Sequence, residues 1–432
     1  MREMKDSGVE WIGEIPIEWK ICKLKNIASI QTGNTPPKNK QSTFYSDESG
    51  TPWIKAEDLG KSDSISETKE YLTEAGKKEG RIFPANTVFV CCIASVGKTG
   101  FSEQECSCNQ QINGIIFNRM QWKYGFYMTL AQKSEYIFNA SGNVMKIINT
   151  EKQANLWCPL PAKCDQESIV NYLDSKCSKI DGIVVKQQAI IEKLKEYKLS
   201  IITEAVTKGF SDKKETKKSR VEWVDEIPVG WSNIKLKHCT YIRARLGWKG
   251  LKADEYVEAG YPLLSAFNIV NSKLDFENNI NYINRERYEE SPEIMLKLGD
   301  VLLVKDGAGI GKCAIIEEMP LPSTTNGSLA VITTDNKLLP KYLYYYFQSS
   351  MFQKYIDRVK DGMGVPHLFQ SDLREIEVVI PTIDEQETII TILDKKMQIL
   401  DETVKKKETI IEKLQEYKKS LIYEVVTGKK EV

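Results

Sequence analysis

The chain has 432 residues, of which 41% are hydrophobic, 28% charged and 9% aromatic. These are the proportions of a folded globular protein of roughly two to four domains, not of a disordered or fibrous chain. Sixty Lys and Arg balance sixty Asp and Glu, so no overall field draws the protein to nucleic acid or to an acidic membrane, and any nucleic-acid surface has to be local. No run approaches the ~18 uncharged apolar residues of a membrane helix, and the opening MREMKDSGVEW lacks a signal-peptide core. A cytoplasmic location and no membrane partner are expected. Ten cysteines fall irregularly, without a C-x-x-C pair, and His238 and His367 are the two histidines. Neither a disulfide framework nor a metal site is expected from that set.

In chain order, Glu10-Trp11-Ile12-Gly13-Glu14-Ile15-Pro16-Ile17-Glu18-Trp19 comes first, followed by the turn cluster Gln31-Thr32-Gly33-Asn34-Thr35-Pro36-Pro37 and the β-rich run Thr87-Val88-Phe89-Val90. From Pro161 there is neither Pro nor Gly until Gly182. Apolar residues recur there in steps of three and four, at Val170, Leu173, Cys177, Ile180, Val184, Ile191, Leu194, Ile201 and Ala205, which is a heptad seam. The polar segment 209–220 reads as an exposed linker. The opening motif then returns as Glu222-Trp223-Val224-Asp225-Glu226-Ile227-Pro228-Val229-Gly230-Trp231, 212 residues on, and residues 161–207 return at 381–427, 220 residues on.

The chain is a tandem duplication. Between the two anchors the second copy is eight residues longer, and there the copies diverge most. The second seam carries Ile390, Leu393, Met397, Leu400, Val404, Ile411, Leu414, Leu421 and Val425, and its polar interruptions match too, Lys407 with Gln187 and Lys418 with Lys198. A ~40-residue helix is about 60 Å long, more than one compact domain covers. The two seams are therefore expected to cover each other as a coiled coil, through Leu173, Ile180, Val184, Ile191 and Leu194 against Leu393, Leu400, Val404, Ile411 and Leu414. The alternative is two amphipathic helices, each packed on its own domain. The expected organisation is an α+β domain at 1–160, a long helix at 161–208, a linker at 209–220, a second α+β domain at 221–380 and a second long helix at 381–432.

Catalytic motifs fail on inspection. Ser95-Val96-Gly97-Lys98-Thr99 resembles the end of a phosphate-cradling loop, but Cys92 stands where its upstream glycine is required. Asp306-Gly307-Ala308-Gly309-Ile310-Gly311-Lys312 lacks both the upstream glycine and the following Ser or Thr. Both read as glycine turns after strands, with lysines available to a phosphate. Asn34-Thr35-Pro36-Pro37 has the wrong order for an amino-methyltransferase, and Glu196-Tyr197-Lys198 and Glu416-Tyr417-Lys418 are helix charges without the Pro-Asp half of a nuclease site. His367, beside Gly362, Gly364 and Pro366, reads as a loop residue. No nucleophile with its base is found, so the chain is expected to be non-catalytic.

What remains suits binding. Arg243, Arg245, Trp248, Lys249 and Lys252 combine cations with an aromatic. At the matching point of the first copy, Gln31, Thr32, Asn34 and Lys38 offer amide, hydroxyl and ammonium groups suited to base edges and phosphates. Lys98, Gln110, Gln111, Lys312 and Asn326 join them as candidate DNA contacts, the amides because they can bond adenine in two places.

As a whole, the sequence resembles the specificity subunit of a type I restriction-modification system along essentially its full length. The resemblance is carried by the paired Glu-Trp…Glu-Ile-Pro…Trp motifs, by the turn Gln31-Thr32-Gly33-Asn34-Thr35-Pro36, and by Leu160-Pro161…Gln166-Glu167 and Ile380-Pro381…Gln386-Glu387. It implies two target-recognition domains reading the halves of a split DNA site, with two antiparallel helices acting as a ruler. It also implies two modification (methyltransferase) subunits and restriction (translocase/endonuclease) subunits as partners. S-adenosylmethionine, ATP and Mg would belong to those partners, with no cofactor in this chain. The second copy departs from the pattern, having Arg243-Ala244-Arg245-Leu246-Gly247 in place of the Thr-Gly-x-Thr-Pro turn. The competing reading is a coiled-coil scaffold with two protein-binding domains and no DNA.

Overall fold

The computed structural model describes residues 2–37, 39, 41–60, 62–210, 215–221, 223–244, 251, 255–361 and 367–432, the side chains of Gln41 and Asp361 excepted. The chain divides into two compact units, one made of residues 1–187 and 408–432 and the other of residues 188–407. The domain boundaries expected from the sequence fall before and after the long helices, whereas these units divide within both.

In the first unit β1 (Lys20–Lys23) leads through a short turn to β2 (Ala28–Thr32) and β3 (Thr51–Ile54), then to β4 (Thr87–Cys91), β5 (Thr99–Ser102), β6 (Cys106–Cys108), β7 (Ile112–Phe117) and β8 (Trp157–Leu160). One antiparallel sheet has the order β5-β4-β7-β2; β3 and β6 run parallel in a second sheet, and β8 closes back on β1. Along β4, Val88 and Val90 enter one core while Phe89 and Cys91 enter another. The sheet is covered on both faces, which is why this strand reads as an unbroken apolar run. Helix α1 (Trp122–Ala131) packs on the first face, and the long α2 (Lys163–Lys208) begins in the same unit.

The second unit repeats this plan with β9 (Ser232–Lys235), β10 (Thr240–Arg243), β11 (Tyr261–Leu264), β12 (Val301–Val304), β13 (Cys313–Ile315), β14 (Thr324–Thr325), β15 (Leu329–Thr334) and β16 (Glu377–Ile380). The antiparallel order is β10-β15-β12-β13, β11 and β14 are parallel, and β16 pairs with β9. Two consecutive helices follow β15, α3 (Pro340–Gln348) and α4 (Ser350–Asp361), which turn at the buried Ser349. The second long helix is α5 (Ile383–Val426). Within the segment expected as a linker, Thr216–Lys218 pairs antiparallel with Glu226–Pro228.

Each unit is closed by the start of one long helix and the end of the other. In the first, Leu173, Cys177 and Ile180 share a core with Leu421, Ile422, Val425 and Val426, with Val184 and Leu414 packed against it. In the second, Ile201, Ile202, Ala205 and Val206 share a core with Ile389, Leu393 and Met397, with Leu400 packed against it. Of the remaining seam residues Ile191 is buried and Leu194, Val404 and Ile411 are half-buried. Lys418 Nζ meets Asp181 Oδ2 at 2.8 Å, and Lys198 Nζ meets Asp401 Oδ1 at 2.6 Å. Within the first unit Lys430 lies over the ring of Tyr172 at 5.8 Å while Lys418 meets Asp181, so the two chain segments run antiparallel there. The two bridges are one bridge seen in both copies, because 220 residues separate Asp181 from Asp401 and Lys198 from Lys418.

The recurring motifs now have physical reasons. The indole of Trp19 donates to Asp165 and that of Trp231 to Glu385, each at 3.0 Å, which ties each Glu-Ile-Pro…Trp motif to the first turn of a long helix. Buried Gln166 donates to the Pro161 carbonyl and accepts from the Gln121 amide; Gln386 does the same with Pro381 and Leu339. An unpaired buried amide would cost about 1–3 kcal/mol. Tyr124 donates to the Val426 carbonyl at 2.9 Å and Tyr342 to the Val206 carbonyl at 3.1 Å, so each head also holds the last turn of the helix that the other copy begins.

Leu393→Ala should destabilise the protein by roughly 2–5 kcal/mol through the cavity it leaves, read as a lower urea midpoint of the second unit's transition. Glu375 bonds Lys235 at 2.7 Å and Lys237 at 2.5 Å, and these bonds hold its carboxyl down at about 2, from an ordinary 4.5. That stabilisation is whole above pH 4.5 and is lost as the pH falls from there through about 2. The melting-temperature gap between the wild type and Glu375→Gln should therefore close over that interval.

Candidate nucleic-acid interface

Strand register gathers the candidate residues of the first unit. Thr32 ends β2 opposite Asn113, Ile112 at the start of β7 lies opposite Cys91 at the end of β4, and Thr99 at the start of β5 lies opposite Val90. The turns after β2, between β4 and β5, and before β7 therefore lie at one end of one sheet. They carry Thr32 and Asn34, Lys98, and Gln110 and Gln111 respectively. Gly33 is required by packing, since a Cβ there would stand 2.2 Å from the Cys108 carbonyl oxygen.

The polar groups on this end are held in place by one another. Thr35 donates to the Gln110 side chain, and Asn109 donates to that of Gln111 at 3.3 Å. Asn34 donates to the Glu79 carbonyl at 2.7 Å and accepts from the Arg81 amide at 2.5 Å, while the Arg81 guanidinium reaches the Thr32 carbonyl. Thr32 donates at 2.8 Å to Asn113, which donates at 2.6 Å to Gln153. Gln110 and Lys98 are exposed; Thr32, Asn34 and Gln111 are half-buried and partly committed to these bonds. The Ser95-to-Lys98 segment is a hairpin turn with Gly97 at φ +82°, and no helix follows it as a phosphate-cradling loop requires.

In the second unit the corresponding sheet end carries the end of β10, the glycine turn between β12 and β13, and the turn before β15. Lys312 is exposed on the glycine turn. Asn326 accepts from the Ser328 amide at 3.0 Å and from its hydroxyl at 2.5 Å, an Asx turn in which its own amide group donates to no described residue. Arg243 departs from the expectation of a groove-facing cation. It is 8% exposed, bonds fully buried Asp300 at 2.7 Å and Thr333 at 2.8 Å, and is spent on the domain core. Lys38, Arg245, Trp248, Lys249 and Lys252 lie outside the described residues. His367 bonds Asp306 and lies edge-on to Phe369 at 4.4 Å, a loop clasp.

Reading the sequence did not pick out three exposed apolar residues near these turns. Val144 and Met145 cap a small hairpin whose Lys146 carbonyl accepts from Ala94, and Phe267 is 83% exposed in a turn capped by Ser265 and Asn268. Lone apolar residues in polar stretches leave no periodic signal. Burial pushes the thiols of Cys92 and Cys106 up to about 12, away from nucleophilic chemistry at neutral pH. Among the described residues no group of three or more His, Cys, Asp or Glu side chains is placed to hold a metal ion, and no helix is long and apolar enough to cross a membrane.

Two alike α+β heads that present unlike polar turns, each closed by segments of the same two long helices, define a two-headed recognition protein. The sequence matches the family described as Type I restriction modification DNA specificity domain twice, over residues 16–196 and 228–416, and the chain belongs to that family. It is 23% identical over 431 residues to the type I restriction enzyme MjaVIII specificity subunit of Methanocaldococcus jannaschii, covering 96% of this chain and 93% of that protein. To the EcoBI specificity subunit of Escherichia coli it is 20% identical over 434 residues, covering 99% and 89%. A solved chain from a study of complex assembly and conformational transition of the type I R-M system shares the fold, with a TM-score of 0.70 at 15% identity over 95% of this chain and 98% of that one.

Arg243→Ala should cost about 3–5 kcal/mol by leaving Asp300 buried and unpaired, whereas Gln110→Ala should change stability by no more than about 0.5 kcal/mol. Chemical denaturation of both variants checks the division between core and surface.

Proposed function

We propose that this chain is the DNA-recognition subunit of a type I restriction-modification complex, reading the two halves of a split target with its two heads. The observation that carries the reading is the gathering of turns at one sheet end in each unit, alike in position and unlike in chemistry. Amides and hydroxyls such as Gln110, Gln111, Thr32 and Asn34 suit base edges in the major groove, and Lys98 and Lys312 suit phosphates. Asn326 is the equivalent amide of the second head, with Lys38, Arg245, Trp248 and Lys249 as further contacts. Unlike heads fit two different half-sites, where identical heads would fit a palindrome.

Each long helix begins in one unit and ends in the other, so the residues of the seam set the interval between the half-sites. The chain itself is non-catalytic and works in the cytoplasm. Modification (methyltransferase) subunits and restriction subunits dock on it and bring S-adenosylmethionine, ATP and Mg. Because the chain carries no net charge, those partners supply part of the phosphate neutralisation on which most protein-DNA affinity depends.

Selection from random duplexes in the presence of the cognate methyltransferase subunits should enrich one split site with two unlike halves; no enrichment would leave only a scaffold. Inserting one heptad into each helix at the middle of the seam adds about 10 Å and should lengthen the accepted spacer by up to about three base pairs, with both half-sites unchanged. The chain alone should bind its site weakly, and nanomolar affinity at physiological salt would overturn the shared neutralisation.

A further inference from the structure

The second unit contains a cleft of about 480 Å³ between α2, the glycine turn after β12 and the helices α3 and α4. Four lysines line it, Lys195, Lys198, Lys312 and Lys360, together with Gln348 and Gln353, and no described carboxylate does. Three of the lysines have an acidic partner outside the lining: Lys195 with Glu192 at 2.9 Å, Lys198 with Asp401 at 2.6 Å and Lys360 with Asp357 at 3.2 Å. The Lys360–Asp357 pair lies three residues apart on an exposed helix face, where such pairing holds a charge only weakly. Lys312 forms no hydrogen bond or ion pair with any described side chain. The turn leaves room because it is built of glycine. Gly307 and Gly311 have φ of +75° and +88°, and Asp306, the acid that begins it, is turned to His367 and Lys305.

The first unit shows the same position without this surplus of charge. There the counterpart of Lys198, Lys418, is met by two carboxylates, Asp181 at 2.8 Å and Asp63 at 3.1 Å. Burial works against its charge, and those two acids overcome that and raise its pKa. Position 415, the counterpart of Lys195, is glutamine. The second unit therefore has a lysine where the first has Gln415, and only one described carboxylate on its seam lysine, in a cleft large enough for a small ligand.

We infer that this cleft is a binding site for a phosphate group, with Lys312 as its principal ligand and Lys195 and Lys360 completing the cation ring. Ammonium groups bind phosphate as point charges through charge-assisted hydrogen bonds, and the cleft can take more than one phosphate unit. Two sources carry this chemistry, a free di- or triphosphate compound and the backbone of DNA.

Titration of the full chain with pyrophosphate, against sodium chloride at matched ionic strength, tests the site. Pyrophosphate should raise the melting temperature of the wild type. Its dissociation constant should rise about tenfold or more in Lys312→Gln, as for the loss of one hydrogen bond between charged groups, and should be unaltered in Lys395→Gln on an exposed face of α5. No response in the wild type, or an equal response in Lys312→Gln, overturns the proposal. A short duplex that competes with pyrophosphate assigns the phosphate to DNA, and one that leaves binding intact assigns it to a free compound; either result presupposes an occupied site. Because the probe is not DNA, failure here leaves the recognition reading standing, and failure of the duplex selection leaves this site standing.

Discussion

Neither copy of the duplication can bury its long helix alone. A seam of the kind running from Leu173 to Ala205 needs a facing seam, and the chain supplies one by repeating itself. The Asp181–Lys418 and Lys198–Asp401 bridges express that constraint in polar terms. Each places a half-buried lysine of one helix against a carboxylate of the other, and a slip by one heptad would separate the lysine from its partner. Apolar packing makes the association favourable, and the charged pairs select one alignment from several of similar apolar burial.

From that alignment the recognition ends follow. The helix pair closes the floor of each head, through Tyr124 and Val426 in one and Tyr342 and Val206 in the other. A sheet buried on both faces stands on that floor, and its strand ends carry turns that make few contributions to the core. Turns in that position can vary in sequence at little cost to stability. The first copy has filled them with amides and hydroxyls that bond one another, and the second with glycines, lysine and an Asx turn.

The long helices, the repeat and the heptad seam were legible because a 3.5-residue period sustained over some forty residues arises from little besides a supercoiled helix. The glycine turns were legible because only glycine takes their backbone angles without strain. Arg243 was misjudged for a physical reason. It ends an edge strand in which Tyr241, on the same face, is 63% exposed while consecutive Ile242 and Arg243 are both buried, so alternation no longer tells inside from outside. The buried Asp300 that receives it is 57 residues away in sequence, a separation that no local pattern reveals. The polar seam positions Lys198 and Lys418 were visible as interruptions of the heptads, whereas no local pattern marks their partners Asp181 and Asp401.

The first unit is discontinuous, needing residues 408–432 to complete it, while the second lies within residues 188–407. On the ribosome the order of synthesis and the order of completion are therefore reversed. The head that emerges first waits, with the apolar groove meant for Leu421, Ile422, Val425 and Val426 unfilled, until the second has been made. During that interval the nascent chain presents an adhesive surface of the kind that chaperones cover and that neighbouring copies on a polysome can invade.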